Sequence, residues 1–253
     1  MDFFAGAGDD DYWGTPGQDE IYEDSAISRE RIVFFESILA RAETLVPRGA
    51  LLDVGAGKGE FACLAVGRGW DVAVLEPSDK ATAGLLDKGI SRVHNSPFET
   101  FVPSRLFDCV TMLDFLEHVF DPAAAIAKAA ECLRPGGVLV ALTPDGASPA
   151  RRLALSAAAV VPACKAMLKY QYYLPHVCYL SERSLRAVST AAGLETVFVA
   201  RAATPRRFLL AKLKRHYGKY PGSALFRAAV AVAYPLASLC LKNKLMVAAR
   251  KPS

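Results

Sequence analysis

Asp53, Glu76, Glu117, His118 and His176 are the side chains whose types and spacing could do chemistry, and three alternating glycines follow closely on the first. Asp53 closes the apolar run Ala50-Leu51-Leu52 and is followed by Val54-Gly55-Ala56-Gly57-Lys58-Gly59-Glu60. Glycine suits a backbone that must turn tightly and let a ligand approach. Amides opening the next helix, near Glu60 and Phe61, favour a polar or anionic group. Glu76 stands twenty-one residues after Gly55, closing the apolar run Asp71-Val72-Ala73-Val74-Leu75. An acid there can accept both hydroxyls of a ribose. The stretch predicts a nucleoside-binding βαβ unit.

A dinucleotide fingerprint requires a glycine or alanine three residues after its second glycine, and Glu60 occupies that place. The spacing is G-x-G-x-G, with Asp53 two residues ahead. Farther on come Phe107-Asp108-Cys109-Val110-Thr111-Met112-Leu113-Asp114-Phe115-Leu116-Glu117-His118-Val119, Asp121-Pro122, and Leu133-Arg134-Pro135-Gly136-Gly137-Val138-Leu139. This ordered set resembles the class I S-adenosylmethionine-dependent methyltransferases, in the branch of ubiquinone-type O-methyltransferases and of surface-glycan and natural-product methyltransferases. The likeness is strong over 50–145 and looser elsewhere between Tyr12 and Lys251.

That resemblance implies a Rossmann-like α/β fold with a seven-stranded sheet and helical insertions over the acceptor site. It implies S-adenosyl-L-methionine as cofactor, set against Asp53, Gly55, Ala56, Gly57, Gly59, Glu76, Pro77, Ser96, Phe98, Leu113 and Asp114. Asp53 would meet the methionine ammonium and Glu76 the ribose. Ser96 and Phe98 would border the adenine, although a plain turn with a core Phe reads equally well there. The implied reaction is methyl transfer to a small-molecule or lipid-linked acceptor, foremost at oxygen.

His118 and His176 are the candidate general bases; a structural hydrogen-bonding role is the alternative for each. His118 belongs to the Leu116-Glu117-His118 run, and His176 to Leu174-Pro175-His176, which resembles a segment that relatives place over the acceptor pocket. Asp114, Glu117 and His118 stand at i, i+3 and i+4, on one face of a helical turn. In ubiquinone-type relatives a Glu ahead of the Glu-His pair resembles a magnesium site, but Asp114 is shorter. A capping box with Asp114 as N-cap and Glu117 reaching back is the favoured reading, so no metal is expected.

The elements that must position these residues alternate. A helix from Ser28 to Val46 precedes a strand (50–54), helix (59–68), strand (71–76), helix (79–88), short strand (92–94) and strand (107–112). Asp121-Pro122 opens a helix with inner face Ile126, Ala127, Ala130 and Leu133; Gly136-Gly137 ends it before a strand at 138–142. Such alternation predicts a parallel sheet with right-handed crossovers. A helix over 150–168, another opening at Ser181, and strands at 195–200 and 245–249 complete the chain, the last two as an antiparallel pair. The domain reading is a mobile arm at 1–25 and one methyltransferase domain at 26–253, with insertions at 146–180 and 201–242. In the arm, Tyr12 and Trp13 are either a lid over the cofactor or incidental to an acidic tail.

With 253 residues, 52% of them hydrophobic, the chain can fold around a substantial core and is not disordered. Its six scattered cysteines read as reduced, and the acidic start lacks a signal-peptide pattern, which together predict a cytoplasmic location. Residues 1–195 carry a net charge of −8 and residues 196–253 carry +12 with no acid. The run Ala228 to Leu241 is uncharged but too short for a span, which needs about 20 residues. Basic and apolar residues over 201–242 therefore suit either peripheral contact with an anionic inner membrane face or a lid over the active site. No nucleic-acid-binding motif accompanies the charge. Two rival functions are an NAD-dependent Rossmann oxidoreductase and a non-catalytic partner protein with the same fold. Neither oligomeric state nor acceptor is readable from these residues.

Overall fold

The computed structural model describes residues 25–160, 176–205, 207 and 242–253. Its first helix, α1 (Ser25–Leu45), is followed by β1 (Ala50–Val54), α2 (Glu60–Gly67), β2 (Asp71–Leu75), α3 (Asp79–Thr82) and β3 (Arg92–His94). Then come β4 (Phe107–Leu113), a 3-10 turn (Leu116–His118), α4 (Pro122–Cys132) and β5 (Leu133–Pro144). Helices α5 (Pro149–Val160) and α6 (Glu182–Ala191) and strands β6 (Glu195–Ala202) and β7 (Lys244–Arg250) finish it. The strands form one seven-stranded sheet in the order β3-β2-β1-β4-β5-β7-β6. The first five are parallel, and β7 enters antiparallel between β5 and β6.

The apolar runs read as buried strands are buried on both faces. Leu51, Leu52, Val54, Val110 and Val140 are all fully enclosed, because helices cover each side of a parallel sheet. One core layer joins β1, β4 and β5 to α4 and α6 through Leu52, Val110, Ile126 and Leu185. The other joins them to α1 and α2 through Ile38, Leu39, Phe61 and Trp70. Glu43 of α1 anchors that second layer: it accepts from Arg68 Nε at 2.9 Å and Trp70 Nε1 at 3.3 Å. Hydrogen bonds from Arg68 and Arg48 hold its carboxyl down at about 2.

Several expected boundaries shift. Helix α3 ends at Thr82, where 79–88 was expected to be helical, and Leu85 enters the core from the turn that follows. Asp121 caps α4 as expected, accepting from the Ala124 amide at 3.0 Å with Pro122 at the first helical position. The inner face of α4, however, is Ala125, Ile126, Ala129 and Ala130, and the helix stops at Cys132. Leu133 already belongs to β5, pairing with Phe107, so Gly136 and Gly137 lie inside a long irregular strand instead of ending the helix. Close approach explains one of these glycines: a Cβ on Gly137 would lie 2.9 Å from the Arg134 carbonyl oxygen. Ser181 caps α6 in a capping box completed by Ser184. The helix expected to continue to 168 is described as far as Val160, and the proposed lid residues Tyr12 and Trp13 lie outside the described residues.

Candidate active site

Two clusters occupy the ends of β1, β2, β4 and β5, the edge where open α/β sheets receive ligands. The first is built by the glycine loop. Gly55, Gly57 and Gly59 all have left-handed φ values, of 72°, 53° and 73°. A Cβ on Gly55 would lie 2.8 Å from the Phe115 ring, and one on Gly59 2.5 Å from a Leu85 methyl. Glycine is therefore required twice over, by conformation and by space.

Two acids flank this loop. Asp53 is 3% exposed and accepts from Thr111 Oγ1 at 2.6 Å, because β1 and β4 place Asp53 and Thr111 side by side in register. Burial raises the Asp53 carboxyl to about 7; the Thr111 hydrogen bond opposes that and the Glu76 charge adds to it. Among the described residues no Lys or Arg balances it. Glu76 accepts from the Gly57 amide at 2.9 Å and from the Ser78 amide at 3.2 Å, so it shapes the loop as well as facing its mouth.

The other expected cofactor residues divide. Ala56 in the loop and Ser96 just after β3 are half-buried, and Pro77 and Leu113 are likewise half-buried at the ends of β2 and β4. Phe98 departs from the expectation of an adenine-stacking ring. It is 2% exposed, edge-on to Phe115 at 6.0 Å with the Lys128 ammonium over its face, and it belongs to the core.

The second cluster forms where β4 and β5 end. The capping box expected over Asp114 to Glu117 is absent: Phe115 is the N-cap of the 3-10 turn and no side chain caps it. Asp114 instead takes a left-handed φ of 55° and ion-pairs with Lys244 at the start of β7. Glu117 turns inward, 1% exposed, and accepts from Thr143 Oγ1 of β5 at 2.9 Å through Oε2. Its Oε1 is buried and accepts no hydrogen bond among the described residues. Burial and the Asp114 charge raise this carboxyl to about 8, against the pull of Lys244 and Thr143.

His176 reaches the cluster from a segment distant in sequence. The Val177 and Cys178 amides donate to the Glu117 carbonyl at 2.9 and 3.3 Å, and the Gly146 amide donates to the Leu180 carbonyl at 2.8 Å. Gly146 permits this docking, since a Cβ there would lie 2.8 Å from the Tyr179 carbonyl oxygen. The His176 ring then stands edge-on to His118, with centroids 4.9 Å apart. Tyr179 follows at 5.5 Å, and the buried Arg151 guanidinium covers its ring at 3.7 Å. One carboxylate oxygen of Glu117 and one nitrogen from each imidazole lie within 4.8 Å of one another. The two candidate bases are thus brought together. Thr111, Thr143 and Lys244, which hold Asp53, Glu117 and Asp114, carry no sequence signal of their own; only strand register makes them neighbours.

A family model described as a methyltransferase domain matches residues 27–199. The chain belongs to the methyltransferase domain family. Among relatives of this methyltransferase-family chain, a ubiquinone biosynthesis O-methyltransferase of Aromatoleum aromaticum is 34% identical over 94 residues, covering 34% of this chain and 40% of that protein. The chain spans less than half the length of the curated relatives it matches. Its fold is that of magnesium protoporphyrin IX methyltransferase from Synechocystis PCC 6803, solved with bound S-adenosylhomocysteine. That match has TM-score 0.61 and 15% identity, over 96% of this chain and 97% of that one. Phosphoethanolamine N-methyltransferase 2 of Haemonchus contortus shares it at TM-score 0.56 and 17% identity, over 92% of this chain and 60% of that one.

Proposed function

We propose that the chain transfers a methyl group from S-adenosyl-L-methionine to an oxygen of a small-molecule acceptor. One observation carries this reading: a buried acid with no balancing cation among the described residues flanks the glycine loop, on the same sheet edge as a Glu-His-His cluster. S-adenosylmethionine supplies a sulfonium-activated methyl group and a positive charge that suits such an acid. In this reading Asp53 receives the methionine ammonium, the left-handed glycine loop admits the cofactor closely, and Glu76 accepts from the ribose hydroxyls. Ala56, Pro77, Ser96, Leu113 and the backbone of Asp114 line the remainder; Phe98 supports them from the core. The acceptor sits across the β4–β5 mouth, and His118 and His176 help its hydroxyl give up a proton. Orientation supplies the remainder, bringing the attacking oxygen roughly 3 Å from the methyl carbon.

The O-methyltransferases among the relatives support oxygen as the acceptor atom. Family membership weighs against the nicotinamide alternative. Calorimetry with S-adenosylhomocysteine and with NAD tests the reading: binding of the first and not the second is expected, and the reverse would end it.

The finer proposal of a lipid-linked acceptor, with peripheral membrane contact through 201–242, rests on the basic and apolar pattern there. No helix among the described residues is long and apolar enough to cross a membrane. Part of the late basic charge is used within the domain: Arg201 pairs with Asp145 and Glu182, Lys244 with Asp114, and Arg207 with Glu30. The membrane proposal therefore depends on residues 208–241, outside the described ones. Salt-sensitive sedimentation with anionic liposomes supports it; no pelleting at low salt overturns it.

A further inference from the structure

The resemblance to ubiquinone-type enzymes implies magnesium on the residues at 114, 117 and 118, and the geometry does not fit that ion. Asp114 is turned to Lys244 by its left-handed backbone, and Glu117 Oε2 is engaged by Thr143. One carboxylate oxygen and one imidazole remain, whereas magnesium asks for near-octahedral oxygen ligation. In place of Asp114 the docked segment brings a second imidazole, His176, to the same spot.

We infer that Glu117, His118 and His176 form a site for a borderline divalent cation of the zinc, cobalt(II) or nickel(II) class, at the acceptor end of the active site. Two imidazoles and one carboxylate are a donor set that such ions prefer and magnesium does not. The three ligating atoms already lie within 4.8 Å of one another. Ligands at about 2.0–2.2 Å from a shared ion stand at most about 4.4 Å apart, so small side-chain rotations close the set.

A second, independent feature points the same way. Glu117 Oε1 is buried and accepts no hydrogen bond among the described residues, although buried carboxylate oxygens are ordinarily satisfied. A cation bound to Oε1 resolves that deficit. Thr143 on Oε2 then serves as the outer partner that fixes the orientation of a ligating carboxylate. The backbone supports the arrangement too, because the Val177 amide holds the Glu117 carbonyl at 2.9 Å and so ties His176 to Glu117. One carboxylate and two neutral imidazoles leave a divalent ion with net positive charge and open positions. An anionic oxygen, such as a phenolate or alkoxide of the acceptor, is the complementary ligand. This step rests on the methyltransferase reading, while the metal site itself does not.

The test uses the full chain without a histidine tag, stripped with chelator, desalted and titrated with Zn2+, Co2+ and Mg2+. One equivalent of Zn2+ should bind, and Co2+ should develop visible absorption bands of low coordination number. Millimolar Mg2+ should not compete. His118→Ala, His176→Ala and Glu117→Gln should each weaken Zn2+ binding at least about tenfold, and Thr143→Val should weaken it by about 10–100-fold. S-adenosylhomocysteine affinity, measured in parallel, should stay unchanged and reports an intact fold. Stoichiometric Zn2+ binding that survives both histidine substitutions overturns the inference. So does no Zn2+ or Co2+ binding by protein that still binds S-adenosylhomocysteine, or Mg2+ binding as tight as Zn2+. Metal binding without any S-adenosylhomocysteine binding would retain the site and reject the methyltransferase reading.

Discussion

The two ends of the proposed active site are made in opposite ways. The core of the cofactor end comes from one continuous stretch, Asp53 to Ser78, and the shape of its loop is fixed by backbone: three left-handed glycines and amides held by Glu76. The acceptor end is assembled from the exit of β4, the end of β5, the segment at 176–180 and the start of β7, and its shape is fixed by side chains. A loop shaped by backbone geometry suits a ligand that never varies. A mouth gathered from four segments can change one residue at a time, as with Asp114, which pairs with Lys244.

The comparison predicts that damage to the acceptor end lowers turnover and damage to the cofactor end lowers affinity and stability. The largest effect is expected at the imidazoles. His118→Ala or His176→Ala should reduce turnover by roughly 10²–10⁴, with S-adenosylhomocysteine affinity unchanged by calorimetry. A loss below tenfold in both would put catalysis on orientation alone and erase the division of labour.

Gly59→Val comes next. It combines a left-handed backbone, φ 73°, with a Cβ 2.5 Å from Leu85, so denaturant unfolding should show a loss of about 2–4 kcal/mol. Unchanged stability would mean the loop is not held by its backbone.

Glu76→Ala should weaken cofactor binding by about 1.5–3 kcal/mol, the scale of hydrogen bonds to a charged acceptor. Because Glu76 also holds the Gly57 and Ser78 amides, Glu76→Gln should recover more stability than affinity. Equal recovery of both would deny Glu76 a ligand-facing role.

The smallest effect is pH-dependent. The folded pKa of Asp53 is raised from 3.8 to about 7, so its favourable contribution is complete below pH 4 and is lost as pH rises through 7. Asp53→Asn should therefore stabilise the ligand-free protein at pH 8 by about 1–2 kcal/mol and leave it little changed at pH 4.5. It should also weaken cofactor binding. A variant less stable at pH 8 would mean that a cation already balances Asp53.

The glycine loop and the strands around it were legible because their information is local. The G-x-G-x-G spacing, the apolar runs around it and the acid after the second strand each require only neighbours in sequence, and the family match over 27–199 agrees with what they imply. The strand alternation, the Asp121-Pro122 cap and the Ser181 helix start were equally local. Local signals also misled. Asp114 and Glu117 have the spacing of a capping box, but the buried Thr143 hydroxyl and the Lys244 ammonium, reached only through β5 and β7, offer stronger partners. Phe98 reads alike as a stacking ring or a core ring, and burial against Phe115 decided for the core. What the sequence determined alone was the sheet's alternation and the loop that ends its first strand, because hydrophobic period and glycine conformation act within a few residues. What only the tertiary structure decided was the meeting of Glu117, His118 and His176. Fifty-seven residues lie between His118 and His176, and strand register and a docked segment, not spacing, close that distance.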